Sequence, residues 1–396
     1  ERKAEIFHRI RSLTANAPHL GQHRQRIHLE QAGVGAHHSG HLPGWKLVVE
    51  NLMSEGLLTA VFATSTVAAG VNFPARTVVF FNSDRFNGTE FVPLDATQLH
   101  QMTGRAGRRG MDKIGFALAV PGRYMDLRMV ARLLSSRPGK VHSRIRINFS
   151  MVLNLLLSHS PEQIEELLKR SFATWLLISK AADSPQKSRM AGVHEVLWED
   201  FLRHLDFLKE TGFVDAADRL TDDGIWASQL RVDQPLLVAE CLRQGLLPAG
   251  DAAQMAGVFA CFVNEKETDN RLEGRLVPNR LKKTVGRIHK KLTGFARHMK
   301  SRGFDVRDLY LRPAAMTHAW AAGYPWEHVA KEYGMPEGNL AMLMMRTADN
   351  LRHTANLTDV FPEAAATARE AIGLIMRPPV IEDETEGGGP KSRDIC

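Results

Sequence analysis

The segment QMTGRAGRRGMD (101–112) sets Arg105, Arg108 and Arg109 among Gly104, Gly107 and Gly110. Glycine lets a backbone turn sharply and lets a bulky anion approach it. Arginine presents a planar, permanently charged fork to phosphate oxygens. In phosphoryl transfer, charge builds on the γ-phosphate oxygens, and an inserted guanidinium stabilises it. A polybasic surface turn would use the same arginines. The Gly–Arg alternation directly after a capped helix favours the phosphate reading.

Two further segments could meet a polyanion. In FATSTVAAGVNFPARTVVF (62–80) a buried strand delivers Thr64, Ser65 and Thr66. Hydroxyls at the carboxyl end of a parallel strand face the crevice where ligands bind in open α/β sheets. They bond phosphate without reading sequence. Gly70 permits close approach, Asn72 offers an amide, and Pro74 fixes the following loop. An ordinary strand, turn and helix with small residues is the alternative. In GAHHSGHLPGWK (35–46), His37 and His41 are four apart, a metal-like spacing. Gly40, Pro43 and Gly44 break any helix that would align them, so no metal is expected. Backbone and imidazole contact to a phosphate strand, or a structural loop, remain. Elsewhere there is no GxxxxGK[ST] loop, no DExH or DExD tetrad, no GxSxG, no HExxH and no CxxC. ATP chemistry therefore needs a second lobe.

The elements that position these residues are legible. LLTAVFA (57–63), TVVFF (77–81) and GFALAV (115–120) read as buried parallel strands. Helical text at 44–52 and 95–106 lies between them, the second opening with an Asp95/Gln98 capping box. Strands alternating with helices favour a parallel α/β sheet. After Pro121 the text turns helical, with Ser160, Pro161 and Gln163 as a helix start. Residues 180–192 read as a linker or loop. A helix at 196–211 ending at Gly212, a short extended pair and LTxxG before another helix suggest a winged helix. From 233 to 378 the chain reads all-helical. Leu281, Val285, Ile288, Leu292, Phe295 and Met299 form one apolar stripe, and residues 271–312 carry 13 Lys+Arg against 3 Asp+Glu. That face is either a solvated surface or a nucleic-acid contact.

Composition is that of a globular protein: 396 residues, 44% hydrophobic and 24% charged. No apolar run reaches the roughly 20 residues of a membrane span, and no membrane partner or secretory leader is expected. Three cysteines suit a reducing cytosol, hence a cytoplasmic protein. Residues 1–150 hold 20 basic and 10 acidic side chains, and such a local excess attracts polyanions. Opening on Glu1 within helical text, the chain reads as a piece of a longer protein or as a processed start.

Together these segments resemble the superkiller-like, exosome-associated group of DExH-box RNA helicases of superfamily two. GAHHSGHLP resembles the group's HHxG element, ATSTVAAGVNFPARTVVF its motif five, and QMTGRAGRRGMD its motif six. SDRFNG (83–88) resembles a YDKFDG turn, which favours the RNA branch over DNA-repair helicases. FSMVLNLL (149–156) resembles the opening of a winged-helix region. DQPLLVAECLRQGLL (233–247), FACFVNEKE (259–267), THAWAAGYPWEHVAKEYGMPEGNL (317–340) and IMRPPV (375–380) resemble a closing helical domain.

The resemblance implies a RecA-like α/β motor lobe at 1–122, a winged-helix region at 123–232, an all-α bundle at 233–380 and a disordered tail at 381–396. It implies that Arg105 and Arg108 reach ATP and that Gln101 couples the lobes. Gly70, Asn72, Gly104 and Gly107 would line the ATP interface. His38, Ser39, Gly40, Thr64, Ser65, Thr66 and Arg346 would follow single-stranded RNA or DNA. ATP and Mg2+ would be held mainly by the first lobe of the same polypeptide, and RNA-degradation machinery is the implied partner. The group's strand-tracking helix carries arginines where EGNLAMLMMRT (337–347) has Met342 and Met345, which suggests packing instead. Residues 176–195 are too few for an inserted arch. The expected activity is ATP-dependent strand translocation by the intact protein, with the chain alone inactive. The alternatives are a non-enzymatic nucleic-acid-binding module and a DNA-repair-type helicase.

Overall fold

The structure is a computed structural model, which describes residues 2–64, 75–87, 90–108, 110–139, 141, 143–176, 192–263 and 276–381. The chain divides into two compact units, one formed by residues 1–141 with 337–339, the other by 142–336 with 340–380. It is mostly helical, with small sheets.

The first unit opens with α1 (Arg2–Leu13), α2 (Pro18–Gly21) and α3 (Arg26–Ala32). Gly33, at φ +64°, ends α3 in the left-handed conformation that glycine adopts freely. β1 (Val34–His37) follows, then α4 (Pro43–Ser54) and β2 (Ala60–Ala63). β1 and β2 are parallel, Val34 opposite Ala60 and His37 opposite Ala63. α4 is the crossover, and it buries Trp45, Val48, Val49 and Leu52. As expected, no helix carries His37 and His41 together, and helical structure begins at Pro43 and Gly44, which open α4 because a proline at the first helical position lacks only an N–H that has no intrahelical partner.

β3 (Thr77–Phe80) and β6 (Phe116–Ala119) form a second parallel pair. Between them lie β4 (Asp84–Phe86) and β5 (Phe91–Pro93), an antiparallel hairpin, and α5 (Ala96–Thr103). α6 (Leu127–Ser135) follows β6. Phe80, Leu94, Leu99 and Val130 make a small core on one side of the pair.

The three expected strands are present, shorter than read and parallel within their pairs, but largely exposed rather than buried, because among the described residues each lies in a two-stranded sheet. Among the described residues they do not make one continuous sheet, and two features were not foreseen. β1 is VGAH, with one β-branched residue, so pairing rather than propensity makes it a strand. The SDRFNG turn is the β4 arm of a hairpin. On the side of β3–β6 away from the small core, Phe81, Phe116 and Leu118 are 58%, 43% and 49% exposed, whereas parallel sheets normally have both faces covered.

In the second unit, α7 (Phe149–Leu156), α8 (Pro161–Lys169) and α9 (Gly192–Glu210) precede a tight hairpin. α8 has the expected capping box, Ser160 with Gln163. Val214 and Leu220 bridge antiparallel before α10 (Asp222–Ala227). α11 (Pro235–Arg243) and α12 (Ala252–Val263) follow, and α12 is buried almost throughout. α13 (Asn279–Ser301), α14 (Leu311–Ala321), α15 (Trp326–Glu332), α16 (Glu337–Ala355) and α17 (Pro362–Ile375) complete the chain. α12 packs on α14 and α17. α13 buries Leu281, Val285, Ile288, Leu292 and Met299 as the stripe predicted, with Phe295 half-buried. It also contains Gly286 and Gly294, each costing about 1 kcal/mol against alanine in a helix interior. No described helix is long and apolar enough to cross a membrane. Most of the expected loop at 180–192 and nearly all of the expected tail lie outside the described residues.

The hairpin depends on one close approach. A Cβ at Gly224 would lie 2.0 Å from the Phe213 carbonyl oxygen. Gly224→Ala is therefore expected to destabilise the second unit by about 1–3 kcal/mol, as overpacking does, read as a lower urea midpoint with an unchanged slope.

Candidate functional site

The arginine turn is built by its neighbours. The Asp95 carboxylate accepts from the Gln98 amide at 2.8 Å, fixing the start of α5 as expected. After Gly104 the chain leaves the helix and runs beside residue 75, where Ala75 and Ala106 form a parallel bridge. The Gly107 amide donates to the Ala75 carbonyl at 2.7 Å, and the Ala75 amide donates to Arg105 at 3.0 Å. Gly107 has φ +89°, a conformation that needs glycine. Gly115 lies against the turn so closely that a Cβ there would sit 2.4 Å from the Ala106 carbonyl carbon.

Arg108 is clamped. Its Nε donates to Asp112 Oδ2 at 2.8 Å, its Nη2 to Oδ1 at 3.0 Å, and its backbone amide to Oδ2 at 3.0 Å. The Arg108 guanidinium and amide together hold the Asp112 carboxyl down at about 2, and the same pair raises the arginine. The expectation was a guanidinium aimed across a cleft at ATP; within its own turn the guanidinium is held side-on by an aspartate four residues on. The arginine side chain still keeps 35% of its surface exposed. The bonds to Asp112 use Nε and one Nη2 proton, which leaves the Nη1 end for another acceptor. Arg105 is half-buried, Gln101 and Gly104 are exposed, and Arg109 lies outside the described residues.

The histidine loop sits at the carboxyl ends of β1 and β2. The Thr64 amide donates to the His37 carbonyl at 3.3 Å, so His38 and Thr64 leave the pair side by side. His37 Nε2 meets Glu50 Oε1 at 2.8 Å. His38 Nδ1 accepts from the Gly40 amide at 3.1 Å, and its ring lies 3.8 Å from that of His41. His23 joins them, stacked on Trp45 at 3.9 Å and edge-on to His41 at 5.3 Å. Burial pushes His23 and His41 down to about 4, and neighbouring cationic groups push the same way. His38 is lowered for the same first reason. Near neutral pH the rings of His23, His38 and His41 are therefore uncharged and offer hydrogen bonds rather than charge. Ser39 and Thr64 are exposed. Ser65, Thr66, Gly70 and Asn72 lie outside the described residues. Among the described residues no group of three His, Cys, Asp or Glu could hold a metal ion.

Arg346 Nη2 reaches both Asp233 oxygens, at 3.1 and 3.2 Å, so its charge is matched within the second unit. Met345 is half-buried and Met344 fully buried, whereas Met342 is 48% exposed because the helical phase turns that position outward.

Asp112, Gly115, His23 and Trp45 were not singled out by sequence. Asp112 carried a usable signal, being four residues after an arginine that leaves a helix. Gly115 and His23 carried none, since each matters through residues distant in sequence.

Two titrations check this geometry. A carboxyl held near 2 favours folding above its ordinary value of about 3.9 and loses that contribution as pH falls through 2. The Asp112 carboxyl resonance should accordingly stay ionised from neutrality to pH 3. His23 and His41 act with the opposite protonation. Their unfolded forms take protons at about 6.5 and their folded forms only near 4, so stability falls as pH drops between those values. The melting temperature should decline over that window, and His23→Phe should flatten the decline.

Residues 217–383 match the DSHCT (NUC185) domain. The chain is 35% identical to superkiller complex protein 2 of Mus musculus over 217 residues, 54% of this chain and 17% of that protein. It is 42% identical to the probable helicase HelY of Mycobacterium tuberculosis over 143 residues, 36% of this chain and 16% of that protein. It is 39% identical to the exosome RNA helicase MTR4 of Homo sapiens over 171 residues, 42% of this chain and 16% of that protein. The aligned part is about a sixth of the length of these relatives. With a DSHCT domain closing the chain, the protein is similar to the C-terminal region of superkiller-like DExH-box RNA helicases.

Proposed function

We propose that the chain supplies the second motor lobe, a winged-helix region and the closing helical domain of an ATP-dependent RNA helicase. Two of the relatives' names carry the helicase assignment, and one of these also names RNA and the exosome. The parallel pairs β1–β2 and β3–β6, each joined through helical connections, support a RecA-like lobe. The sequence α9, hairpin, α10 supports a winged helix.

The observation that carries the mechanism is the side-on clamp of Arg108 by Asp112 on a glycine-built turn. Holding one edge of the guanidinium leaves the Nη1 end aimed outward without rotamer freedom to lose, and preorganised cations stabilise developing charge most effectively. Bound ATP supplies the phosphoryl group, and its oxygens are the fitting acceptors for that free edge. Arg108 then stabilises the γ-phosphate and Arg105 supports it from the adjoining position. Gln101, on the exposed face of α5, couples this lobe to the first. Gly104 and Gly107 shape the interface that Gly70 and Asn72 complete. ATP and Mg2+ rest mainly on the first lobe, since this chain has neither the phosphate-cradling loop nor a DExH tetrad.

Strand contact falls to the edge where Thr64 leaves β2 and His38, Ser39 and Gly40 leave β1, with Ser65 and Thr66 following. Neutral rings, hydroxyls and amides read the phosphate–sugar backbone rather than base identity. Arg346, in the second unit, acts on the strand by exchanging Asp233 for a phosphate. RNA-degradation machinery is the fitting partner class, and a reducing cytosol suits the buried free thiols of Cys241 and Cys261.

In the full-length polypeptide, Arg108→Ala is expected to lower RNA-stimulated ATP turnover by about 10³-fold or more, with KM for ATP within a few-fold. Arg108→Lys should not rescue it, because an ammonium cannot hold Asp112 bidentately and still face outward. Unchanged turnover in the alanine variant would sink the assignment.

A further inference from the structure

The helix α13 has eight Lys or Arg and no carboxylate in its 23 residues. All eight are exposed. Arg280 pairs with Asp251, Arg287 donates to the Leu246 carbonyl, and Lys300 stands 4.0 Å from Asp308. Lys283, Lys290 and Arg297 have no ion pair among the described residues. They are seven apart, so they form one line along the side opposite the buried stripe, about 10 Å per step.

Two glycines lie in that line. Gly286 sits between Lys283 and Lys290, and Gly294 between Lys290 and Arg297. Glycine inside a helix weakens it, and the usual compensation is a close packing partner. Here nothing described lies within 4 Å of a Cβ at either position. Their small size therefore serves no contact among the described residues. It leaves bare backbone between three cationic side chains, the surface on which another molecule's backbone can lie close.

A cavity of about 240 Å³ opens beside the same line. Leu292 and Val306 are part of its apolar lining, and Arg297, Lys300 and Arg307 line it together with one carboxylate, Asp308. Arg297 belongs to both the line and the cavity.

We propose that the outer face of α13 binds single-stranded nucleic acid, with phosphates along Lys283, Lys290 and Arg297 and one base in the adjoining cavity. Uncompensated positive charge calls for a polyanion. A partly apolar cavity lined by three cations against one carboxylate calls for a strand whose bases are unpaired, since stacking and cation–π contact need a free ring face. An acidic peptide would use the charges and leave the cavity and glycine gaps unexplained. The proposal does not depend on the reading of the arginine turn.

The test is binding by the full-length polypeptide, followed by anisotropy of a labelled 20-nucleotide single strand over a salt series without nucleotide. The charge variant is Lys283→Gln/Lys290→Gln/Arg297→Gln, the gap variant Gly286→Ala/Gly294→Ala. For the charge variant, the slope of log affinity against log salt should fall by about 2, three contacts at about 0.7 each on a single strand. The gap variant should melt higher yet bind several-fold more weakly, an outcome that a purely structural helix cannot produce. RNA and DNA single strands should both show these losses, and a blunt duplex should show less. Strand-free ATP turnover, measured alongside, keeps the wild-type value and separates this surface from the motor. Unchanged strand affinity in both variants would overturn the proposal. Poly-glutamate displacing the strand at equal charge concentration would also overturn it and give the face to an acidic protein.

Discussion

The first unit depends on how closely residue 115 approaches residues 106 and 107. Without a side chain at 115, the backbone after α5 can pass against the start of β6 and bond to Ala75 on its other side. That closeness is what turns a helix exit into a fixed platform. Arg105 and Arg108 then have positions rather than a range of positions. The Asp112 clamp adds the last constraint, converting a long flexible side chain into a directed one. In the proposed role, phosphoryl transfer is a problem of placing charge, and a rigid platform under a cation is the property that role needs.

The second unit solves a different problem. Its core is helix against helix, centred on α12, where nearly every side chain is buried. A core of that kind needs no chemistry on its inside and leaves the outer faces of its helices free to differ. α13 shows this plainly: one face is an uninterrupted apolar stripe, the other a run of bases with two glycines.

Much of this was readable from the chain. The capping boxes at Asp95 and Ser160 were legible because a cap is a local event, decided within four residues. The α13 stripe was legible because a helical period needs only sequence spacing. Pairing was less so. β1 has little strand character of its own, and only Ala60–Ala63 makes it a strand. The site followed the same rule. The Gly–Arg alternation announced the turn. The roles of Gly115 and His23 rest on tertiary proximity, and Arg346 needed Asp233, more than a hundred positions away, before its charge could be seen as matched.

The open side of β3–β6 has a consequence for handling the protein. Strands in parallel sheets are apolar on both sides because helices ordinarily shield both. Here Val79, Phe81, Phe116, Leu118 and Val120 meet water on one side. A wet apolar sheet surface is adhesive toward any similar surface. Residues that take no part in chemistry thus set how concentrated a solution of the first unit can be before it clumps, and whatever shields them acts as a solubility factor as much as a structural one.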